Sequence, residues 1–270
     1  PSARDKCYHA MAGDFGPRPH ELLKLRIKDI VFKLSPDNRQ YAEVLLSGKT
    51  GTRSIPLIDS IPYVKDWILQ HPQSGNPNSI LLCGFGRSLN RMIQVTSLNT
   101  IYKHYKEEFF PALLDSPNVP PEDKPKIREL LKKKWNPYVR RHSSLTKNSK
   151  ILKEYTLKQL AGWSPRSQMP QKYIHYFGNE SNDSILEAYG IETKDKQLSD
   201  VLRPKLCPNC YETNKPDSKF CVSCRMVLTY DAYSQTLENQ KQKDDEFETI
   251  KEQLNCLSKQ LYEAGILKKD

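Results

Sequence analysis

Apolar positions along the chain switch between helical and strand periods. Cys7 to Ala12 reads as the end of a helix, which Gly13-Asp14-Phe15-Gly16-Pro17 breaks. Glu21, Leu22, Leu23 and Leu25 predict a short amphipathic helix that opens at Pro19, directly after Arg18. Ile27 to Lys33, Tyr41 to Leu46 and Arg53 to Leu57 alternate as strands. Between the last two lies Ser47-Gly48-Lys49-Thr50-Gly51-Thr52, whose glycines predict a tight turn with Lys49 at its tip. Helices are predicted over Asp59 to Gln70, Thr96 to Glu108 and Glu122 to Lys134. Loops rich in Pro, Gly and Ser separate them, including Phe109 to Pro121. A further helix is predicted to start near the Arg141-His142 pair, followed by a turn at Gly162-Trp163.

The last quarter has a different pattern. Residues 191–206 are polar and end at a proline-containing stretch, which reads as a linker. Cys207-Pro208-Asn209-Cys210 and Cys221-Val222-Ser223-Cys224 form two Cys-x-x-Cys pairs separated by ten residues. Four thiolates at this spacing reach one tetrahedral ion, so a zinc ribbon over 207–230 is expected. Four protein ligands leave no open position, so that zinc would be structural. Asp231 to Leu267 reads as one long polar helix. Within it Phe247, Ile250, Leu254, Leu257 and Leu261 follow a 3-4-3-4 spacing, a short heptad seam.

Charge then narrows the possibilities. The chain has 270 residues and a formal net charge of +10, which points to a polyanionic partner. Residues 121–160 carry twelve Lys and Arg against four Asp and Glu, so most of the excess lies in this one window. No run of eighteen apolar residues occurs and no signal-peptide pattern opens the chain, so no membrane partner is expected. The cysteines outside the two pairs (Cys7, Cys83 and Cys256) are scattered, which fits a reducing, cytoplasmic setting, nucleoid-associated in a prokaryote.

Several segments together resemble the tyrosine recombinase (phage-integrase) family, over roughly residues 4–190. Arg18-Pro19-His20-Glu21-Leu22-Leu23-Lys24-Leu25 is similar to its first arginine box. Lys49-Thr50-Gly51-Thr52-Arg53-Ser54-Ile55-Pro56-Leu57 is similar to its β-hairpin lysine segment. Asn136 to Thr146, Ala161-Gly162-Trp163-Ser164 and Gln171-Lys172-Tyr173-Ile174-His175 are similar to the second arginine box and the nucleophile segment.

The resemblance implies a mainly α fold with a small antiparallel β-sheet over residues 1–190. The zinc ribbon and a C-terminal helix over 231–270 would follow. It implies Tyr173 as nucleophile, Arg18 and Arg141 as the phosphate clamp, Lys49 as general acid and Trp163 as a donor to phosphate. Tyr138, His142 and His175 are secondary candidates. Tyr138 stands where the family usually has His, archaeal virus-type integrases resemble this chain in lacking that His, and the gap from Trp163 to Tyr173 is one residue longer than is common. Tyr176 and Tyr189 are rival nucleophiles.

The expected activity is site-specific recombination or integration on double-stranded DNA, in an archaeal or mobile-element setting. No catalytic metal is expected, and self-association as a dimer or tetramer is. A type IB topoisomerase would share the chemistry. A non-catalytic zinc-ribbon DNA-binding protein on an integrase scaffold would share the surface. The chain begins with Pro1, and since relatives carry an N-terminal DNA-clamp domain, the whole protein is expected to extend N-terminally.

Overall fold

The computed structural model describes residues 2–49, 51–174 and 203–263. His175 and the rival tyrosines at 176 and 189 lie outside them, as does most of the 191–206 segment. Two compact units are present, Pro1–Pro204 and Lys205–Asp270. The described residues are mostly helical with a small antiparallel sheet, and no helix among them is long and apolar enough to cross a membrane.

In the first unit, β1 (Ile30–Leu34), β2 (Gln40–Gly48) and β3 (Gly51–Leu57) form an antiparallel sheet in sequence order. Along β2 the side chains alternate. Ala42, Val44 and Leu46 are buried, and Leu45 between them is exposed. Val44 stands opposite Ile30 on one side and Ile55 on the other. The stretch expected as the start of β1 is a 3₁₀ turn, Ile27–Asp29, because the Asp29 carboxylate accepts from the Arg26 N–H at 2.8 Å.

The buried sheet face, α2 (Pro19–Leu23) and α3 (Ile61–Gln70) share one core that includes Leu22, Leu46, Leu57, Ile61 and Leu81. α1 (Ala3–Asp14) packs against α3 and against α7 (Pro137–Ser149). The buried Asp14 carboxylate ties the end of α1 to the segment after β3. It accepts from the Ile58 N–H (2.8 Å), the Ser60 N–H (3.1 Å) and the Ser60 hydroxyl (2.8 Å). Burial raises its pKa, and those three bonds oppose the rise.

A second expectation differs from the structure. α4 (Val95–His104) does not give way to a loop at Phe109. It continues through a π-helical turn, Tyr105–Phe109, into α5 (Phe110–Asp115). Pro111 sits in the first turn of α5, just after the π-helical turn, at a point where the hydrogen-bond ladder is already shifted by one residue. The widened turn lets the Phe110 N–H reach back to the Tyr105 carbonyl. Phe110 also packs on Trp135, with ring centroids 4.9 Å apart. That contact favours the ordered helix over a loop.

α6 (Lys124–Lys132), α8 (Glu154–Ala161) and α9 (Gln171–Ile174) are the remaining helices among the unit's described residues. A second small core of Leu145, Leu157, Ala161 and Tyr173 joins α7, α8 and α9.

The second unit holds a two-stranded sheet, β4 (Lys205–Leu206) and β5 (Thr213–Asn214), followed by α10 (Tyr230–Glu263).

Candidate active site and metal centre

α7 starts where its sequence directs. Asn136 caps it, its side-chain oxygen accepting from the Tyr138 and Val139 N–H groups at 3.0 and 3.2 Å, and Pro137 occupies the first turn. This start presents Arg141 and His142 on adjacent positions. Arg141 is buried and donates to the Gly16 carbonyl (2.6 Å) and the Ala161 carbonyl (2.9 Å).

α8 ends at Gly162 in the left-handed conformation (φ +63°), with the Trp163 N–H closing on the Lys158 carbonyl at 2.9 Å. The Gly162 carbonyl accepts from Arg18 at 3.1 Å. Two consecutive carbonyls at the negative end of α8 therefore hold two guanidinium groups, one from α7 and one from the cap of α2. A Cβ on Gly162 would lie 2.7 Å from Arg53 and 3.1 Å from Arg18. Only glycine supplies both the turn and the space.

Tyr173, on α9, is buried against this end of α8. Its hydroxyl lies 2.9 Å from His142 Nδ1. Its ring stacks on the Trp163 ring (centroids 5.5 Å apart), and the His142 imidazole lies off its hydroxyl end (centroids 6.1 Å apart). The Arg141 guanidinium lies 5.9 Å from the centre of the Trp163 ring. Burial raises the Tyr173 pKa, and the nearby Arg141 charge opposes the rise. Burial lowers the Arg141 pKa to about 10, helped by the positive charge of Arg18, so the guanidinium stays charged at neutral pH.

Sequence reasoning assigned no role to Glu21 or Arg53. Glu21 is almost fully buried (1%) between two arginines. Its carboxylate accepts from Arg53 at 2.8 and 3.1 Å, and from the Arg18 side chain at 3.1 Å and backbone N–H at 2.9 Å. Burial alone would raise its pKa, but the Arg53 hydrogen bonds and both positive charges hold it below the usual carboxylate value. A signal was present: a carboxylate three residues after Arg18, within a leucine-rich helix face, must find a cation when buried.

The β2–β3 hairpin closes on this cluster. A Cβ on Gly48 would collide with the Glu21 carboxylate. The next residue, Lys49, is exposed, and its charge adds to those that lower the pKa of His20, for which burial is the leading cause.

Arg18, Arg141, Trp163, Tyr173 and His142 are thus brought together, with Lys49 at the hairpin on the Arg18 side. Tyr138 stands apart. Its side chain is exposed, and its electrostatic effect falls on Tyr8 of α1.

In the second unit, the sulfur atoms of Cys207, Cys210, Cys221 and Cys224 all lie within 4.8 Å of one another. Two of the separations, Cys207–Cys224 and Cys210–Cys221, are 3.6 Å. A tetrahedron with zinc–sulfur bonds of about 2.3 Å has edges of about 3.8 Å, so these four atoms could bind one metal ion.

The two knuckles are built alike. The Cys207 N–H donates to Glu212 and the Tyr211 N–H to Cys207; the Cys221 N–H donates to Met226 and the Arg225 N–H to Cys221. Tyr211 and Arg225 both take positive φ, 57° and 61°. Buried Asn214 braces the pair, donating to Cys221 Sγ at 3.6 Å and accepting from the Val222 N–H at 2.8 Å.

No family model matches this chain, and no curated protein does. Among solved structures it is similar to the XerH site-specific recombinase bound to palindromic difH substrate in a post-cleavage complex (21% identity, 68% of this chain, 46% of that chain, TM-score 0.45). It is also similar to XerH bound to difH in a pre-cleavage complex (19%, 68%, 46%, TM-score 0.45). A third is the Tn1549 transposon integrase in complex with transposon right end DNA (12%, 68%, 58%, TM-score 0.43). The chain spans about half the length of these structures. A likeness at this level bears on neither activity nor substrate.

Proposed function

We propose that this chain is a site-specific DNA recombinase or integrase that cuts and rejoins double-stranded DNA through a 3′-phosphotyrosine on Tyr173. The observation that carries the reading is the Tyr173 hydroxyl on His142 Nδ1, beside two guanidinium groups held by the end of α8. The Tyr173 oxygen attacks phosphorus in line, and the bond to the 5′ oxygen breaks. His142 Nδ1, in the tautomer with its proton on Nε2, accepts the phenol proton. Arg18 and Arg141 neutralise the non-bridging oxygens of the transition state, a task suited to a planar, permanently charged fork. Trp163 stacks on the nucleophile and holds its ring. Lys49 protonates the leaving 5′ oxygen. The phosphoester is conserved in the covalent intermediate, so rejoining needs no ATP, and no step uses a metal.

His142 thereby supplies the acceptor that the family pattern puts at position 138. The basic window on α6 and α7 follows the path of a duplex backbone. The four cysteines of the second unit hold one structural zinc, and two or more copies act together on DNA.

The test is covalent trapping on nicked suicide duplexes, scored as protein–DNA adducts that survive SDS. An adduct present in the parent chain and absent in Tyr173→Phe is expected. An adduct that persists in Tyr173→Phe would overturn the assignment. Tight binding without any adduct would favour the non-catalytic DNA-binding reading.

A further inference from the structure

α10 is 34 residues long, about 51 Å at 1.5 Å per residue. Its first turns rest on the ribbon through buried Ala232. From Gln235 to Leu257 every side chain is exposed. Phe247 is 67% exposed, Ile250 54%, Leu254 62% and Leu257 54%. A helix left uncovered over this length is stabilised by its own hydrogen bonds and by exposed local pairs such as Lys251–Glu248 (3.1 Å), and apolar side chains on one stripe are the part that a partner would cover.

The stripe has heptad spacing. With Phe247 at position a, Ile250 is d, Leu254 is a and Leu257 is d, and the spacing continues in the sequence to Leu261. Upstream, Gln240 and Lys243 take the preceding a and d positions, so the apolar stripe begins at Phe247. The flanking charges choose a partner and a direction. Glu246 is at g, and Lys251 is at the following e. In a parallel pair of identical helices, g of one copy faces the following e of the other. Glu246 then meets Lys251 of the second copy twice, once on each side. An antiparallel pair that buried the same stripe would set e against e and g against g, placing Lys251 against Lys251 of the second copy and Glu246 near Gln260, with repulsion in the first contact and no attraction in the second.

We propose that the Phe247–Leu257 stripe of α10 is a self-association seam that pairs two copies of this chain in parallel. The pairing puts both four-cysteine clusters at the same end of the coiled segment and joins two chains through residues of the second unit. It specifies the segment and direction of the self-association on DNA proposed above, but it does not depend on the recombinase chemistry.

Sedimentation of the 270-residue chain over a concentration series tests it, without DNA, so that failure of the chemistry and failure of the seam are read separately. The expected mass is at least twice that of the monomer, falling to one monomer in Ile250→Lys and in Leu254→Lys. Glu246→Lys alone is expected to weaken association about tenfold, and Glu246→Lys with Lys251→Glu to recover most of the loss. Zinc content and the melting transition of the first unit, unchanged in each variant, confirm that the rest of the chain is intact. A monomer at every concentration overturns the seam, as does a mass that the two lysine variants leave unaltered. A double charge reversal that restores nothing overturns the parallel direction.

Discussion

At Tyr173 the question is where one proton goes. Burial lifts the phenol pKa above its ordinary value near 10, against the pull of Arg141, so the hydroxyl is protonated at neutral pH. In the role proposed for it, Tyr173 needs a hydrogen-bond acceptor, and His142 Nδ1, 2.9 Å away, supplies one in the tautomer with its proton on Nε2. His142→Phe keeps a ring beside Tyr173 and removes the acceptor, and it is expected to slow single-turnover adduct formation about a hundredfold or more. An unchanged rate would make the contact a packing feature only.

Glu21 makes a second prediction at this scale. Glu21→Gln keeps the shape and removes the charge that Arg18 and Arg53 share, and Arg53 Nε already has no partner among the described residues. Breaking one member of a buried ion cluster costs about 3 kcal/mol or more. A urea midpoint that falls accordingly is expected, together with weaker DNA cleavage as Arg18 loses its brace. A midpoint within error of the parent would show that the cluster is not holding the fold. The sequence made Arg18, Arg141 and Tyr173 legible because each lies in a short recognisable string. Glu21 with Arg53, and His142 with Tyr173, meet across thirty or so residues, and no local pattern records such a meeting.

Helix α1 carries a titration that its own sequence conceals. Burial lowers the His9 pKa to about 4, with the Arg140 charge adding to the effect and Asp5 opposing it. The unfolded chain takes up this proton near pH 6.5, whereas the folded chain resists until about 4. The unfolded state therefore binds more protons within that window, so stability is full above pH 6.5 and falls as pH drops towards 4. The slope from this one group is about 1.4 kcal/mol per pH unit at most. Urea melts at pH 7 and pH 5 should separate more in the parent than in His9→Phe, and equal separations would show that His9 does not titrate in this way.

The elements themselves were mostly legible. β2 alternates cleanly, and Asn136-Pro137 announces α7. The turn into α5 was not, because Pro111, which reads as the start of a loop, stands in the first turn of a helix anchored by Phe110 on Trp135, a contact between residues 25 positions apart.

The whole molecule divides into a unit with an ordinary apolar core and a unit whose small sheet surrounds four sulfur atoms. That division follows from composition: two Cys-x-x-Cys pairs were readable at once, because metal ligation needs only local spacing, whereas the first unit's core draws on residues from Cys7 to Tyr102. The two units should accordingly respond differently to removal of metal. The second unit has few buried apolar side chains among its described residues, so a metal ion on the four cysteines would supply much of its folding free energy. The first unit has none of those ligands.

A strong chelator is expected to release one zinc per chain and to expose the Cys207, Asn214 and Cys221 amides to hydrogen exchange. The melting transition of the first unit should stay within about 2 °C of its starting value. Adduct formation at Tyr173 should continue in the chelator on duplexes that still bind, since attack, proton transfer and charge neutralisation are all assigned to side chains of the first unit. A lowered transition for the first unit would show that the units share stability. Loss of adduct with binding intact would place the ribbon, or a metal, in the chemistry.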